Sequence, residues 1–422
     1  MNLTARIRTG GSEARRTSAL ARDLMATVGR NPGPVPARVA LSGTDEAAVA
    51  ATALHLADRG HQVILVPAAL TSTAGRWPLR SAHRMHADVH GLACESSPDT
   101  AGPSGTWQIG LYSSGSSGSP RAYGFTLSQM ETVARWYAAI YGVTRSSAII
   151  TCLPVSYNFT FVAGLCLAAH TGALLNLSGS PDAVFPDAVH LAREADRVVV
   201  LANPVLLDLA GRGSPRLPSN VLIDSGGAPL SAPGIALLRE RLGDVREGYG
   251  LTETASLTHF DAEGTSASIG TVGAAMPGVG CRVAEAAGVP RLILESPATG
   301  VELHPDGSCG PERSVLLTGD LGKVDGAGRL RLLGRADDCE ISGLWPRDTL
   351  DLIGVHLGTR CALVRHPAPD EIQVRVLGGP PADTAARIRM LVAEHAGLPV
   401  TSVSVTGQDG PLLHSRKMPR VV

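Results

Sequence analysis

Apolar residues recur at helical spacing over 45–58 (DEAAVAATALHLAD) and then run unbroken through HQVILVP at 61–67. The pattern predicts a helix followed by a buried strand. The polar, Gly- and Pro-punctuated stretch from STAGRW (72–77) to DTAGPSG (99–105) predicts loops. TWQIGLY (106–112) reads as a strand, and Thr126 is placed to cap a helix over LSQMETVARWYAAIYG. Strand-like runs follow at AIITCLP (148–154), RVVVLA (197–202) and NVLIDS (220–225), with helical segments at 162–171 and 231–242 between and after them. Strands alternating with helices predict an α/β layered domain with parallel-type sheets.

The rhythm changes near Gly270. CRVAEA, RLILES, VLLTGD and GRLRLLG are closely spaced β runs and predict a β-rich subdomain. Beyond Asp337 comes a small α+β pattern: DTLDLIGVHL, CALVRH, IQVRVL, the helix-like ADTAARIRMLVAEHA, and SVSV. The expected organisation is a large α/β domain over 1–336 and a small, mobile α+β C-terminal domain over 337–422. No internal repeat is evident.

Composition narrows the class. With 44% hydrophobic and 18% charged residues in a chain of 422, the sequence is that of an ordinary globular protein with room for a sizeable core. The formal net charge of −1 gives no electrostatic support to nucleic-acid binding. No apolar run is long enough for a membrane span. Arg6, Arg8, Arg15, Arg16 and Arg22 precede no apolar core, so an exposed amphipathic lead-in helix is expected in place of a secretory signal. His83, His86 and His90 would share one side of a helix, read as a solvated polar helix and not a metal site. Seven scattered cysteines without a C-x-x-C pair imply reduced thiols and a cytoplasmic location.

The segment with the most chemistry is SSGSSGSPR at 113–121, between a strand and a capped helix. Such a loop offers clustered backbone N–H groups and hydroxyls to an anion, and Gly115 and Gly118 permit close approach. It lacks the G-K-[ST] of the usual P-loop.

That loop resembles the T-S-G-S-T-G-x-P-K loop of the adenylate-forming superfamily, which includes acyl-CoA synthetases, aryl-acid ligases and peptide-synthetase adenylation domains. Five further segments resemble the family's motifs in the family's order: SGGAPL (225–230), GYGLTET (248–254), TVGAAMPGV (271–279), LTGDLGKVDGAGRLRLLGRADD (317–338) and PLLHSRKMPR (411–420). The resemblance implies ATP-dependent activation of a carboxylic acid as an acyl-adenylate, with transfer to a thiol of a carrier protein or CoA. It also implies roles. Ser113, Ser114, Gly115, Ser116, Ser117, Gly118, Arg121 and Thr252 would hold ATP phosphates, and Glu253 would hold Mg²⁺. Tyr249 would lie against adenine beside Gly227 and Ala228, with Gly250 also binding ATP, while Gly226 would border the acid substrate. Asp320 would take the ribose hydroxyls with help from Arg335, Asp337 would be the hinge, and Lys417 would reach the reacting carboxylate and phosphate.

The sequence departs from the family at several points. The lead-in before the loop is short. Arg121 replaces the loop lysine, exchanging a compact ammonium for a guanidinium fork. Arg416 replaces the glycine before Lys417, and CEISG with Glu340 shortens the segment after Asp338. That last change favours a carrier-protein phosphopantetheine over free CoA; a nitrogen acceptor, or a nucleotide-binding partner without turnover, is the alternative. LPVSYNFTFVAG (153–164) occupies the acid-binding region. Tyr157 falls where many members have a gate, and Asn158 where aryl-acid ligases meet an ortho substituent. No Asp stands in this segment to meet an α-ammonium, which favours an aryl or α,β-unsaturated acid.

Overall fold

The computed structural model describes residues 5–9, 15–17, 19–20, 38–67, 83–88, 91–95, 105–113, 120–210, 213–286, 289–358 and 360–408. Its helices are α1 (Glu46–Asp58), α2 (Leu127–Tyr141), α3 (Leu167–Thr171), α4 (Val184–Leu191), α5 (Pro204–Ala210), α6 (Ala232–Leu242), α7 (Pro346–Leu357) and α8 (Ala382–Ala396).

The strand runs expected between 148 and 225 lie side by side. Val221–Ser225 is parallel to Val198–Ala202, which is parallel to Ala148–Thr151. Asp244–Tyr249 extends this sheet on one side and Leu174–Leu177 on the other, within a nine-stranded sheet. Buried residues alternate between two layers. Val199, Leu201 and Leu222 join the core shared with α2, while Val198, Val200 and Ile223 join the one under α4 and α6. Period-2 alternation in strands covered on both faces yields continuous apolar runs of this kind.

A seven-stranded sheet includes Arg38–Gly43, Gln62–Leu65, Ile109–Tyr112 and Ala122–Phe125. Asp45 caps α1 through its carboxylate, accepting from Ala47 N at 2.9 Å and Ala48 N at 3.2 Å. Thr126 caps α2 in a reciprocal box with Gln129, whose Oε1 accepts from Thr126 N at 2.9 Å. The β-rich part is a four-stranded antiparallel sheet of Gly280–Ala286, Val289–Glu295, Val315–Val324 and Leu330–Arg335. After it, α7 and α8 pack on a three-stranded sheet around a separate core that includes Leu350, Ile353, Ile372, Val374, Ile388 and Val392.

Three local expectations are corrected. Arg6, Arg8, Arg15 and Arg16 stand in strands and not in a lead-in helix, although Thr17, Ala19 and Leu20 are helical. Arg6–Thr9 is a strand parallel to Leu174–Leu177, because Ala5 and Ile7 are buried while Arg6 is exposed, a period of two. The histidine-rich stretch is not a helix either. His83–Asp88 is a strand beside Arg38–Gly43, with Met85 and Ala87 buried and Arg84 and His86 exposed, and it pairs with Gly91–Glu95 inside the stretch expected to be loop; His90 lies outside the described residues. The helix expected at 162–171 begins as a π-helix, Thr160–Cys166, and continues as α3. Among the described residues, Cys166, Cys281, Cys339 and Cys361 are free thiols, no His/Cys/Asp/Glu group is arranged to hold a metal, and no helix is long and apolar enough to cross a membrane.

Candidate active site

The ends of the parallel strands and the turns that follow them carry the candidate residues. Gly248–Tyr249 ends the edge strand of the parallel run, and residues 250–254 turn over its tip in a short 3₁₀ helix, Thr252–Thr254. Gly250 is required there: a β-carbon would stand 1.5 Å from the Ser256 carbonyl oxygen.

Tyr249 reaches across to the antiparallel sheet. Its hydroxyl donates to Asp320 Oδ2 at 2.8 Å, and Arg335 Nη1 donates to Asp320 Oδ1 at 2.7 Å. Asp320 and Arg335 are paired across adjacent strands, which sets the register of this contact. Thr318 fixes the backbone beneath: its Oγ1 donates to Leu292 O at 3.0 Å and accepts from Asp320 N at 3.1 Å. Burial, and then the Asp320 charge, push the Tyr249 hydroxyl well above its ordinary pKa, so it stays a donor. Burial works against the Arg335 charge, but Asp320 outweighs it and raises the guanidinium pKa.

The other candidates converge on the same turn. Asn158 Nδ2 donates to Leu251 O at 3.3 Å, while its Oδ1 is buried with no partner. The next residue, Phe159, lies over Gly226, its ring 3.4 Å from where a β-carbon would be. Gly226 N donates to Ala202 O at 3.0 Å; Gly227 follows at φ 86° and Ala228 is half-buried. Tyr157, half-buried, opens the turn into the π-helix and donates its N–H to Pro154 O at 3.0 Å. Glu253 Oε1 faces Arg121 Nη2 at 3.9 Å, and Tyr123 stands beside the same carboxylate, which adds to burial in raising the phenol's pKa. Arg121 closes the neck of the Ser/Gly loop: its N–H donates to Ser113 Oγ at 3.0 Å and its carbonyl accepts from Ser113 N at 2.7 Å.

The structure thus brings together Arg121, Asn158, Gly226, the 249–253 turn, Asp320 and Arg335. Asp337, two residues beyond Arg335, is exposed and paired with Arg365 at 2.8 Å; its neighbour Asp338 is buried and accepts from Arg365 Nε at 2.6 Å. Ser114, Gly115, Ser116, Ser117, Gly118 and Lys417 lie outside the described residues. Sequence reasoning left Thr318, Tyr123 and Asp224 unassigned. Thr318 was legible as the first residue of T-G-D, and Asp224 as an acid closing an apolar strand; Tyr123 had no such signal.

A family model described as AMP-binding enzyme matches residues 45–292. A CoA ligase of Mycobacterium tuberculosis acting on a methyl-dioxo-octahydro-indenyl propanoyl group is 27% identical over 252 residues, covering 55% of this chain and 47% of that protein. A Salinispora arenicola protein described as a probable non-canonical nonribosomal peptide synthetase, CymA, is 27% identical over 248 residues, 54% of this chain and 3% of that protein. The chain thus spans half or less of the length of these curated relatives. Among solved structures, ATP-bound MatB from Rhodopseudomonas palustris superposes with a TM-score of 0.71 at 18% identity, covering 97% of this chain and 92% of that one. A benzoate CoA ligase from Burkholderia xenovorans gives 0.72 at 17%, covering 99% and 95%. These two share the fold, and with the family match over more than half of its residues, the chain belongs to the AMP-binding enzyme family.

Proposed function

We propose that this chain activates a carboxylic acid with ATP, forming an acyl-adenylate and pyrophosphate, and passes the acyl group to a thiol of a carrier protein or CoA. The observation that carries the reading is the doubly held Asp320 carboxylate, set beside the 249–253 turn in an AMP-binding family chain. A carboxylate fixed by two donors still has lone pairs for a vicinal diol, which suits a ribose. The Ser113–Gly118 loop, Arg121 and Thr252 would take phosphates, and Tyr249, Gly227, Ala228 and Gly250 would border the base.

Glu253 is a partly open carboxylate, which suits Mg²⁺, an ion that usually takes one or two carboxylates together with substrate phosphates. Bound there, Mg²⁺ would offset the repulsion between an incoming carboxylate and the polyphosphate. Arg121, the cation facing Glu253, would turn from that carboxylate toward phosphate oxygens. The proposed units are 1–336 and 337–422, pivoting near Asp337, with Lys417 brought to the α-phosphate when the smaller unit closes.

Asn158 supports an acid bearing a hydrogen-bond donor. Its Nδ2 is engaged with Leu251 O, which leaves the buried Oδ1 as the group in need of a partner. A hydroxyl or amino group on an aryl or unsaturated acid would supply one. Acid-dependent ATP–pyrophosphate exchange tests the proposal, with hydroxy- and amino-substituted aryl acids, plain aryl acids, unsaturated, aliphatic and α-amino acids. Exchange with substituted aryl acids is expected. No exchange from folded protein across the panel overturns the enzyme reading, and exchange with α-amino acids alone overturns the acid assignment.

A further inference from the structure

We propose that Tyr137 is a positioning residue for adenylation, holding the turn that presents Thr252 and Glu253; the inference rests on the function proposed above. Tyr137 lies in α2, directly after the Ser/Gly loop and the Ala122–Phe125 strand. It is 1% exposed, and its hydroxyl meets Ser256 Oγ at 2.9 Å. Ser256 is where the turn closes. Its N–H donates to Leu251 O at 3.1 Å, and its carbonyl sits against the Gly250 α-carbon.

The closure is strained. Ala255 has φ 51° and Ser256 φ 91°, two successive non-glycine residues in the left-handed region. Such a conformation persists only where the surroundings over-determine it. The surroundings here are one helix face. Tyr141, one turn beyond Tyr137 and 5.2 Å from it ring to ring, donates to Asp224, the residue before S-G-G-A-P, and its ring stands edge-on to Phe260. The two hydroxyls therefore tie α2 to both strand ends that border the site. A phenylalanine would fill the same space in the apolar core, so what Tyr137 adds is the oxygen on Ser256. Glu253 is three residues from that contact, and its carbonyl is fixed by Gly300 N at 2.9 Å. Loosening Ser256 lets the intervening backbone relax and shifts the carboxylate proposed to hold Mg²⁺.

The test is Mg²⁺-dependent ATP binding followed by calorimetry without acid, alongside ATP–pyrophosphate exchange by the full chain with an accepted acid, titrating Mg²⁺ in both, for wild type, Tyr137→Phe, Ser256→Ala and the double variant. Loss of one neutral hydrogen bond corresponds to a change of about 2–13-fold. The Mg²⁺ concentration for half-maximal binding and rate should rise within that range in each single variant, with the acid KM unchanged and no further rise in the double variant, since the pair acts as a unit. An unshifted Mg²⁺ dependence, or shifts that multiply in the double variant, overturns the inference while leaving the adenylation reading intact. If Tyr137→Phe does not fold, Ser256→Ala alone decides between these results. A wild-type chain without exchange overturns both readings together.

Discussion

Arg347 Nη2 stands 3.8 Å from Glu247 Oε2 across the contact between α7 and the Asp244–Tyr249 strand, with side-chain exposures of 3% and 4%. Burial pushes the Glu247 carboxyl up to about 7, and the Arg347 charge opposes that rise. Asp351 holds the other side of Arg347 at 3.2 Å and also accepts from Ala232 N at 2.7 Å. The helix that opens the C-terminal α+β region is therefore docked on the parallel-sheet part through buried charge. Removing one member of a buried pair leaves its partner uncompensated, at a cost of about 3–5 kcal/mol. Arg347→Ala should lower the urea-unfolding free energy by up to that order above about pH 7, where Glu247 is ionised, and by less below it, and adding Glu247→Gln should recover part of the loss. A loss below about 0.5 kcal/mol would mean that this contact does not hold the fold.

Tyr249 and Asp320 separate holding from contact. Tyr249→Phe removes one donor to a carboxylate, an interaction worth about 1.5–3 kcal/mol. It should raise the ATP KM about 10-fold or more, with a smaller effect on kcat. Asp320→Asn should weaken ATP further, since it removes the charge that Arg335 also engages. Exchange kinetics with ATP as the varied substrate check both, and an unchanged ATP KM in both variants would remove Asp320 from the nucleotide site.

The layering was legible because it follows from local rules, whereas the candidate contact residues were named only through the resemblance of six ordered motifs to a known family. VVVLA and VLIDS are continuous apolar runs, as strands covered on both faces require, and Thr126 with Gln129 is a reciprocal cap visible in four residues. Arg6–Thr9 and His83–Asp88 were misread because each has one or two buried side chains alternating with Arg or His, too short a period-2 signal against a polar background. The Tyr249–Asp320–Arg335 contact and Tyr137–Ser256 could not be read from the chain alone. They join residues 71 and 119 apart, and only the pairing of sheets and helix brings them within reach.

Asn158→Ala should distinguish a ligand contact from a backbone brace. If Oδ1 meets a substituent donor, hydroxy- or amino-substituted acids should lose about 2–13-fold in kcat/KM relative to the unsubstituted acid. Equal losses across the series would assign Asn158 to the Leu251 contact alone.

Lys417→Ala should slow acyl-adenylate formation by about 10²–10³, the usual effect of removing a preplaced transition-state donor. ATP affinity should change little, because the phosphate contacts proposed for the loop would remain. Chemically supplied acyl-adenylate should still pass to the thiol at a near-normal rate. Equal loss of both half-reactions in folded protein would rule out a role confined to adenylation.

Asp224 makes a prediction about pH. Burial pushes its carboxyl up to about 7 from an ordinary 3.8, although the Tyr141 hydroxyl works in the other direction. Below 3.8 the group is protonated in both the folded and the unfolded chain. As pH rises toward about 7 the unfolded chain ionises while the folded one keeps its proton, so stability is lost across that window, by on the order of 4 kcal/mol for the full shift. His259, pulled down to about 4 by burial, has the opposite slope, losing stability as pH falls from 6.5. The wild-type curve alone therefore mixes the two, and Glu247 adds to the first. Asp224→Asn keeps a neutral side chain of the same shape and removes only the Asp224 contribution. The variant should gain on wild type steadily between about pH 4 and 7 in urea unfolding, and the difference should level off above that. Parallel curves for the two proteins would show that Asp224 is ionised in the fold, its charge held by the Tyr141 hydroxyl.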